Sequence, residues 1–326
     1  VLDTHLPQCT DILCDMFFHS RFDEGDVAVE RGVILEEIGM YEDNPEDLCA
    51  ERLASAVFRG TPLARPILGR RSTLEKMNGD WLRRYMQEHY QPERIVVALA
   101  GSYRPADVEE LKGRFSGLIP GAVPVGKSAR YTPAVTVKKK AIEQNHLTLA
   151  FPGLSFSNEG RFTLQLLSSI LGGGMSSRLF QQVREKMGLC YAICSYGTCH
   201  EDVGYIGVYT ALSRETEGQA LETIRGVIEE FADRGPTQAE LDRAREQSKA
   251  NVLMGLESTQ ARMSSLGRGE LLLGKVLDED QVIARYDAVT RQDVRAMAQR
   301  LFDFRQSSLS AVGRVGGAEE YQALLW

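Results

Sequence analysis

At 326 residues the chain is about twice an ordinary domain, so two domains are expected. With 43% hydrophobic and 25% charged residues and no long uncharged apolar run, it is neither a membrane-spanning nor a largely disordered chain. A net charge of −7 argues against a nucleic-acid surface, and six irregularly spaced cysteines without a signal-peptide pattern point to a reducing, cytoplasmic location.

Apolar positions recur at helical spacing over 12–18, and Phe22-Asp23-Glu24 opens a second helix, with acidic residues in its first turn, that runs to Tyr41. Ser72-Thr73-Leu74-Glu75 has capping-box spacing, and 81–89 is helical. The β-branched run 95–100 is too short for a helix and reads as a buried strand ending at Gly101. Glycine and proline crowd the stretch that follows, which makes 120–133 the linker and divides the chain into 1–122 and 123–326. Beyond it, 135–141 and 146–151 read as strands, and 158–171 and 176–187 as helices, the second closed by Gly188 at C′. A strand pair at 189–196 and 204–209 precedes helices over 215–233 and 237–255, the latter with Thr237 and Glu240 as its capping box.

The chain also repeats itself. Leu82, Tyr85, Tyr90, Leu99 and Gly101 fall without a gap on Val294, Met297, Phe302, Ala311 and Gly313, and Asp26 to Arg31 falls on Glu240 to Arg245 with nearly the same spacing. Two related domains follow. The second copy has strands and a helix ahead of the shared region, and the first has no counterpart of roughly seventy of those residues, so the first domain is expected to lack its beginning.

Four ordered segments then carry a resemblance. Glu30-Arg31-Gly32-Val33-Ile34-Leu35-Glu36-Glu37-Ile38 and Pro62-Leu63-Ala64-Arg65-Pro66-Ile67-Leu68-Gly69 lie in the first half. Leu171-Gly172-Gly173-Gly174-Met175-Ser176-Ser177-Arg178-Leu179-Phe180 and Val183-Arg184-Glu185-Lys186-Met187-Gly188-Leu189-Cys190-Tyr191 lie in the second. Over essentially the whole chain, these resemble the insulinase and mitochondrial-processing-peptidase family of inverted zinc peptidases, of the bacterial two-domain type. The resemblance implies an α+β fold of two homologous domains, each an antiparallel-dominated sheet with helices mainly on one face. The activity it implies is that of a zinc metalloendopeptidase cutting extended or unfolded peptides.

By position, the resemblance makes Glu37 the third zinc ligand and Glu30 its supporting carboxylate. The two lie on one helical face with Val33 and Ile34 between them, which suits either a metal or an exposed acidic face with salt bridges. It makes Arg184 and Tyr191 the groups that hold the substrate backbone and the developing oxyanion, a role for which a guanidinium and a phenol are suited donors. Read by themselves, the same two residues could neutralise a helix C-terminus and pack in a sheet. Gly172, Gly173 and Gly174 either let an extended peptide approach or turn the chain between helices. None of the five histidines (His5, His19, His89, His146, His200) stands in a His-x-x-Glu-His motif. Two zinc ligands and the general base are therefore expected to be missing, leaving this chain inactive by itself. Cys190 and Cys194 are too far apart along a strand to share a zinc with Cys199 and His200. By resemblance the partners are a peptide substrate and a homologous subunit, as homodimer or pseudo-dimer. A non-catalytic peptide-binding or scaffold subunit of the same family is the other reading.

Overall fold

The computed structural model describes residues 1–122 and 126–325. Its first helices are α1 (Leu6–Phe18), α2 (Glu24–Asp43), α3 (Pro45–Val57), the short α4 (Arg71–Leu74), α5 (Gly79–His89) and α6 (Pro105–Phe115). Strands β1 (Val135–Lys139) and β2 (Asn145–Pro152) follow, then α7 (Arg161–Gly172), a π-helix (Phe180–Lys186), β3 (Ala192–Cys199) and β4 (Gly204–Leu212). The chain continues through α8 (Glu217–Arg234), α9 (Gln238–Gly255), α10 (Thr259–Leu273), α11 (Glu279–Asp287), α12 (Arg291–Leu301), β5 (Ser308–Gly313) and α13 (Ala318–Leu325).

These elements form two compact units that interleave along the chain. One comprises Val1–Ile38, Leu68–Gly126 and Leu253–Val276; the other comprises Gly39–Ile67, Lys127–Val252 and Leu277–Trp326. The linker expected at 120–133 lies partly outside the described residues, at 123–125, as does the 122/123 boundary. Its later part is tied down within the second unit: the Ala129 N–H donates to Asp202 Oδ2 at 2.7 Å, and the Tyr131 hydroxyl reaches Ala150 O and Ser308 Oγ.

The second unit is built on one five-stranded sheet of order β1-β5-β2-β4-β3, antiparallel except where β1 pairs with β5. Alternation decides its faces. Leu147, Leu149 and Phe151 of β2, with Ile206 and Val208 of β4, join the main core beneath α7, α8 and α12. Ala150 and Tyr205 point to the opposite face, where α3 buries Leu53 and Val57 against them. That face is lined with polar groups, so α3 docks partly through hydrogen bonds: Arg52 Nη2 donates to Thr136 Oγ1 at 2.6 Å and to Val137 O at 3.0 Å.

The first unit is helical and thinly packed. Phe17, Phe18, Tyr90 and Phe115 cluster with ring centroids 4.9–5.6 Å apart. No residue of α2 is buried. Among the described residues this unit contains no strand, so the sheet expected in the first domain is not seen there. The expected strand 95–100 has Val96 and Val97 exposed and, among the described residues, no hydrogen-bonded neighbour strand, the condition that turns an extended segment into a sheet. The expected capping box at Ser72–Glu75 does not form either: α4 begins at Arg71, which puts Ser72 inside the helix rather than at its N-cap, and it has no side-chain cap.

The internal repeat is visible in the backbone. Asn78 and Thr290 both cap their helices through the side chain, α5 and α12 both span 11 residues, and short 3₁₀ turns at Pro92–Arg94 and Phe304–Gln306 follow. Gly101 and Gly313 then both take positive φ, +117° and +139°.

Candidate functional site

Gly172, Gly173 and Gly174 sit where α7 gives way to the next helix. A Cβ on Gly172 would stand 2.4 Å from Ser195 N, so glycine here lets α7 lie directly on β3. Gly174 is exposed, and a Cβ on it would meet nothing within 4 Å. The first glycine thus has a packing role, and the last presents open backbone.

The helix expected over 176–187 begins at Arg178 and winds as a π-helix from Phe180 to Lys186, a rare geometry that tends to occur at functional positions. It ends as its sequence predicts. Gly188 takes φ +62° at C′, its N–H bonds Arg184 O, and the Leu189 N–H returns to Val183 O, both at 3.0 Å. That closure uses 189–191 as a loop, so β3 starts at Ala192 rather than at Leu189.

Through this turn the chain brings Tyr191 back to Arg184. The guanidinium carbon stands 5.8 Å from the centre of the Tyr191 ring and 4.7 Å from that of Phe180, one helical turn earlier. Two aromatic faces hold the cation where a carboxylate would otherwise neutralise it. Tyr191 is 70% exposed, and its N–H bonds Ala211 O at 2.9 Å, so a main-chain bond anchors it while its ring faces solvent. Cys190 beside it is buried; burial raises its thiol pKa, more than the Thr210 hydrogen bond and the nearby Arg184 charge lower it. Phe180 escaped the sequence reading, although its spacing four residues before Arg184 is the signal that would have found it.

Glu30 and Glu37 lie on α2 in the first unit, both exposed, with Val33 between them also exposed. Arg184 and Tyr191 belong to the second unit. A catalytic zinc takes three protein donors. Among the described residues no three His, Cys, Asp or Glu side chains come together to hold a metal, so the residues present do not by themselves fit zinc. No helix among them is long and apolar enough to cross a membrane.

A family model described as the peptidase M16 inactive domain matches residues 76–248, and one described as insulinase (peptidase family M16) matches residues 1–71. An uncharacterized zinc protease of Bacillus subtilis is 40% identical over 326 residues, covering 97% of this chain and 78% of that protein. One from Streptomyces coelicolor is 39% identical over 323 residues, covering 96% and 70%. Among solved structures, the peptidase M16 inactive domain from Pseudomonas fluorescens aligns with a TM-score of 0.87 at 21% identity, over 97% of this chain and 76% of that one. A protease from Helicobacter pylori aligns equally, with a TM-score of 0.87 at 20% identity over 95% and 77%. At those identities the two structures speak for the α+β fold, while the relatives and family models speak for descent. The chain belongs to the insulinase family, peptidase family M16.

Proposed function

We propose that this chain is part of a processing-type zinc metalloendopeptidase that cuts extended or unfolded peptides, and that by itself it is inactive. The observation that carries the reading is the half-buried Arg184, set against Phe180 and the exposed Tyr191 ring and paired with no carboxylate among the described residues. A guanidinium in that setting donates hydrogen bonds to a peptide carbonyl, and to the oxyanion that grows from it, while the phenol adds a second donor. Gly174 offers open backbone to an extended peptide on the same unit. By resemblance alone, Glu37, supported by Glu30, is the residue of this chain assigned to zinc, and the relatives named as zinc proteases support a metal in the family. The remaining donors are not found among the described residues. The same reading assigns 1–122 to the zinc-site domain and 123–326 to the substrate-binding domain, in a cytoplasmic homodimer or a pseudo-dimer with a homologous subunit.

A quenched-fluorescent unstructured peptide tests this. The longer parent protein should cleave it in a chelator-sensitive way, and this chain should bind it without cleavage. Arg184→Ala should lower the parent's kcat by about a hundredfold. A second reading, a peptide-binding or scaffold subunit, draws on the inactive-domain family model over 76–248. Peptide binding with no cleavage by the parent would favour it.

A further inference from the structure

Away from Arg184 and Tyr191, the second unit holds a cleft of about 580 Å³, a size common among small-ligand sites. Its walls come from 176–178, 181–182 and Lys186, the last turns of α8, the bend Gly235-Pro236-Thr237, and the first turns of α9 and α12. Both carboxylates in the walls are already neutralised: Glu230 pairs with Arg234 at 3.0 Å, and Glu240 with Arg178 at 2.7 Å. Two cations are not. Lys186 has no ion pair or hydrogen bond among the described residues, and Arg291 engages only its Nε, on Pro236 O at 2.8 Å, leaving both Nη groups of its fork free. The cleft therefore carries a local excess of two positive charges on a chain whose net charge is −7.

A separate observation points to a ligand. Ser177 lines the same cleft just before the helix at Arg178 and is only 4% exposed, yet its Oγ has no hydrogen-bond partner. Buried hydroxyls are normally satisfied, and this one does not cap the helix that starts beside it. Its Oγ is shut from solvent in this structure, so it reaches a ligand only by turning its side chain toward the cleft, where the unopposed charge is positive.

We propose that this cleft binds a small oxyanion of the phosphate class, with Lys186 and Arg291 balancing its charge and the Ser177 side chain turning outward on binding to donate its hydroxyl to one of the ion's oxygens. Two unopposed cations from different elements match a multiply charged ion better than a single carboxylate, and a guanidinium fork suits its paired oxygens. The site is separate from the Arg184–Tyr191 pair and does not depend on the peptidase reading.

Calorimetric titration of the 326-residue chain with sodium pyrophosphate, and in a second arm with orthophosphate, tests the proposal, with ionic strength held constant by sodium chloride. The expected result is saturable binding of at least one of the two. Affinity should fall by about tenfold or more in the K186Q/R291Q double variant and by about threefold in S177A. K139Q, at an exposed lysine of β1, should bind as the parent does, which separates the cleft from general charge attraction. Lys186 and Arg291 are exposed, so the double variant keeps its fold, and its melting curve verifies this. No saturable binding of either anion, or equal binding by the double variant, overturns the proposal.

Discussion

Arg31 donates from Nη2 to the main-chain oxygen of Met77 at 2.5 Å, and at the equivalent place in the second copy Arg245 donates from Nη2 to Val289 O at 2.8 Å. The repeated bond ties a long helix to the start of the helix-and-strand segment in each copy. The copies differ at Nε: in Arg245 it bonds Tyr286 O at 3.2 Å, whereas in Arg31 it is buried with no partner. Arg245→Met should therefore cost about 2 kcal/mol, and Arg31→Met about 1 kcal/mol or less, because the second change also removes an unsatisfied donor. Urea midpoints of the two variants, each referred to the parent, check the order; equal losses would contradict it.

A second prediction concerns acid. Partial burial alone would raise the Glu240 carboxyl, but hydrogen bonds from Arg178 and the Thr237 N–H, with the guanidinium charge, outweigh it and bring the carboxyl down to about 2. A folded pKa below the unfolded one gives stability that is present above about pH 4.5 and fades as pH falls toward 2. Glu240→Gln should cost about 2 kcal/mol at pH 7 once solvent screening is allowed for, and the gap to the parent should narrow steadily between pH 5 and pH 3. Denaturant titrations across that range measure it, and a gap independent of pH would show that the ion pair is not its source.

Substitution at the glycine run separates packing from binding. Gly172→Ala drives a methyl against the Ser195 backbone and should destabilise by about 2 kcal/mol, read as a lower melting temperature. Gly174→Ala meets open space and should leave stability within about 0.5 kcal/mol of the parent. If Gly174→Ala still weakens binding of an unstructured peptide, the peptide runs along that backbone.

Arg184→Lys tests the aromatic clamp. A lysine keeps the charge but loses the planar group that stacks between Phe180 and Tyr191. Stability should change by less than about 1 kcal/mol, since the charge is kept, Arg184 is only half-buried and Tyr191 is exposed, while peptide affinity falls several-fold. Fluorescence anisotropy with a labelled peptide distinguishes this from a charge-only role, in which lysine would serve as well as arginine.

Much of this was legible in the residues because it depends on local chemistry. Gly188 at C′ and the Thr237–Glu240 capping box are set by a few neighbouring groups, and both form as their sequence predicts. The repeat was legible because a gap-free alignment carries cap, helix, turn and glycine together. What escaped depends on partners distant in sequence. Ile95–Ala100 has the composition of a strand, but a strand is made by its neighbours, and none is described beside it. The start of β3 moved because the Leu189 N–H prefers Val183 O to a sheet partner. The π-helix was illegible because its distinction from an α-helix is one residue in hydrogen-bond reach. The Glu30–Glu37 face could be read as shared, but whether it would be covered could not.

The interleaving of the units has a practical consequence. The chain changes unit within α2, between Ile38 and Gly39, and within α9, between Val252 and Leu253, which are matching positions when Arg31 is laid on Arg245. Each ancestral copy has thus given away the segment after its long helix, and the sheet of the second unit wears α3 as a borrowed cover. A fragment starting at residue 127 would strip that cover, baring Ala150 and Tyr205 and stranding Thr136 without Arg52. Such a half-molecule should be prone to self-association, so halves prepared separately are poor stand-ins for the whole.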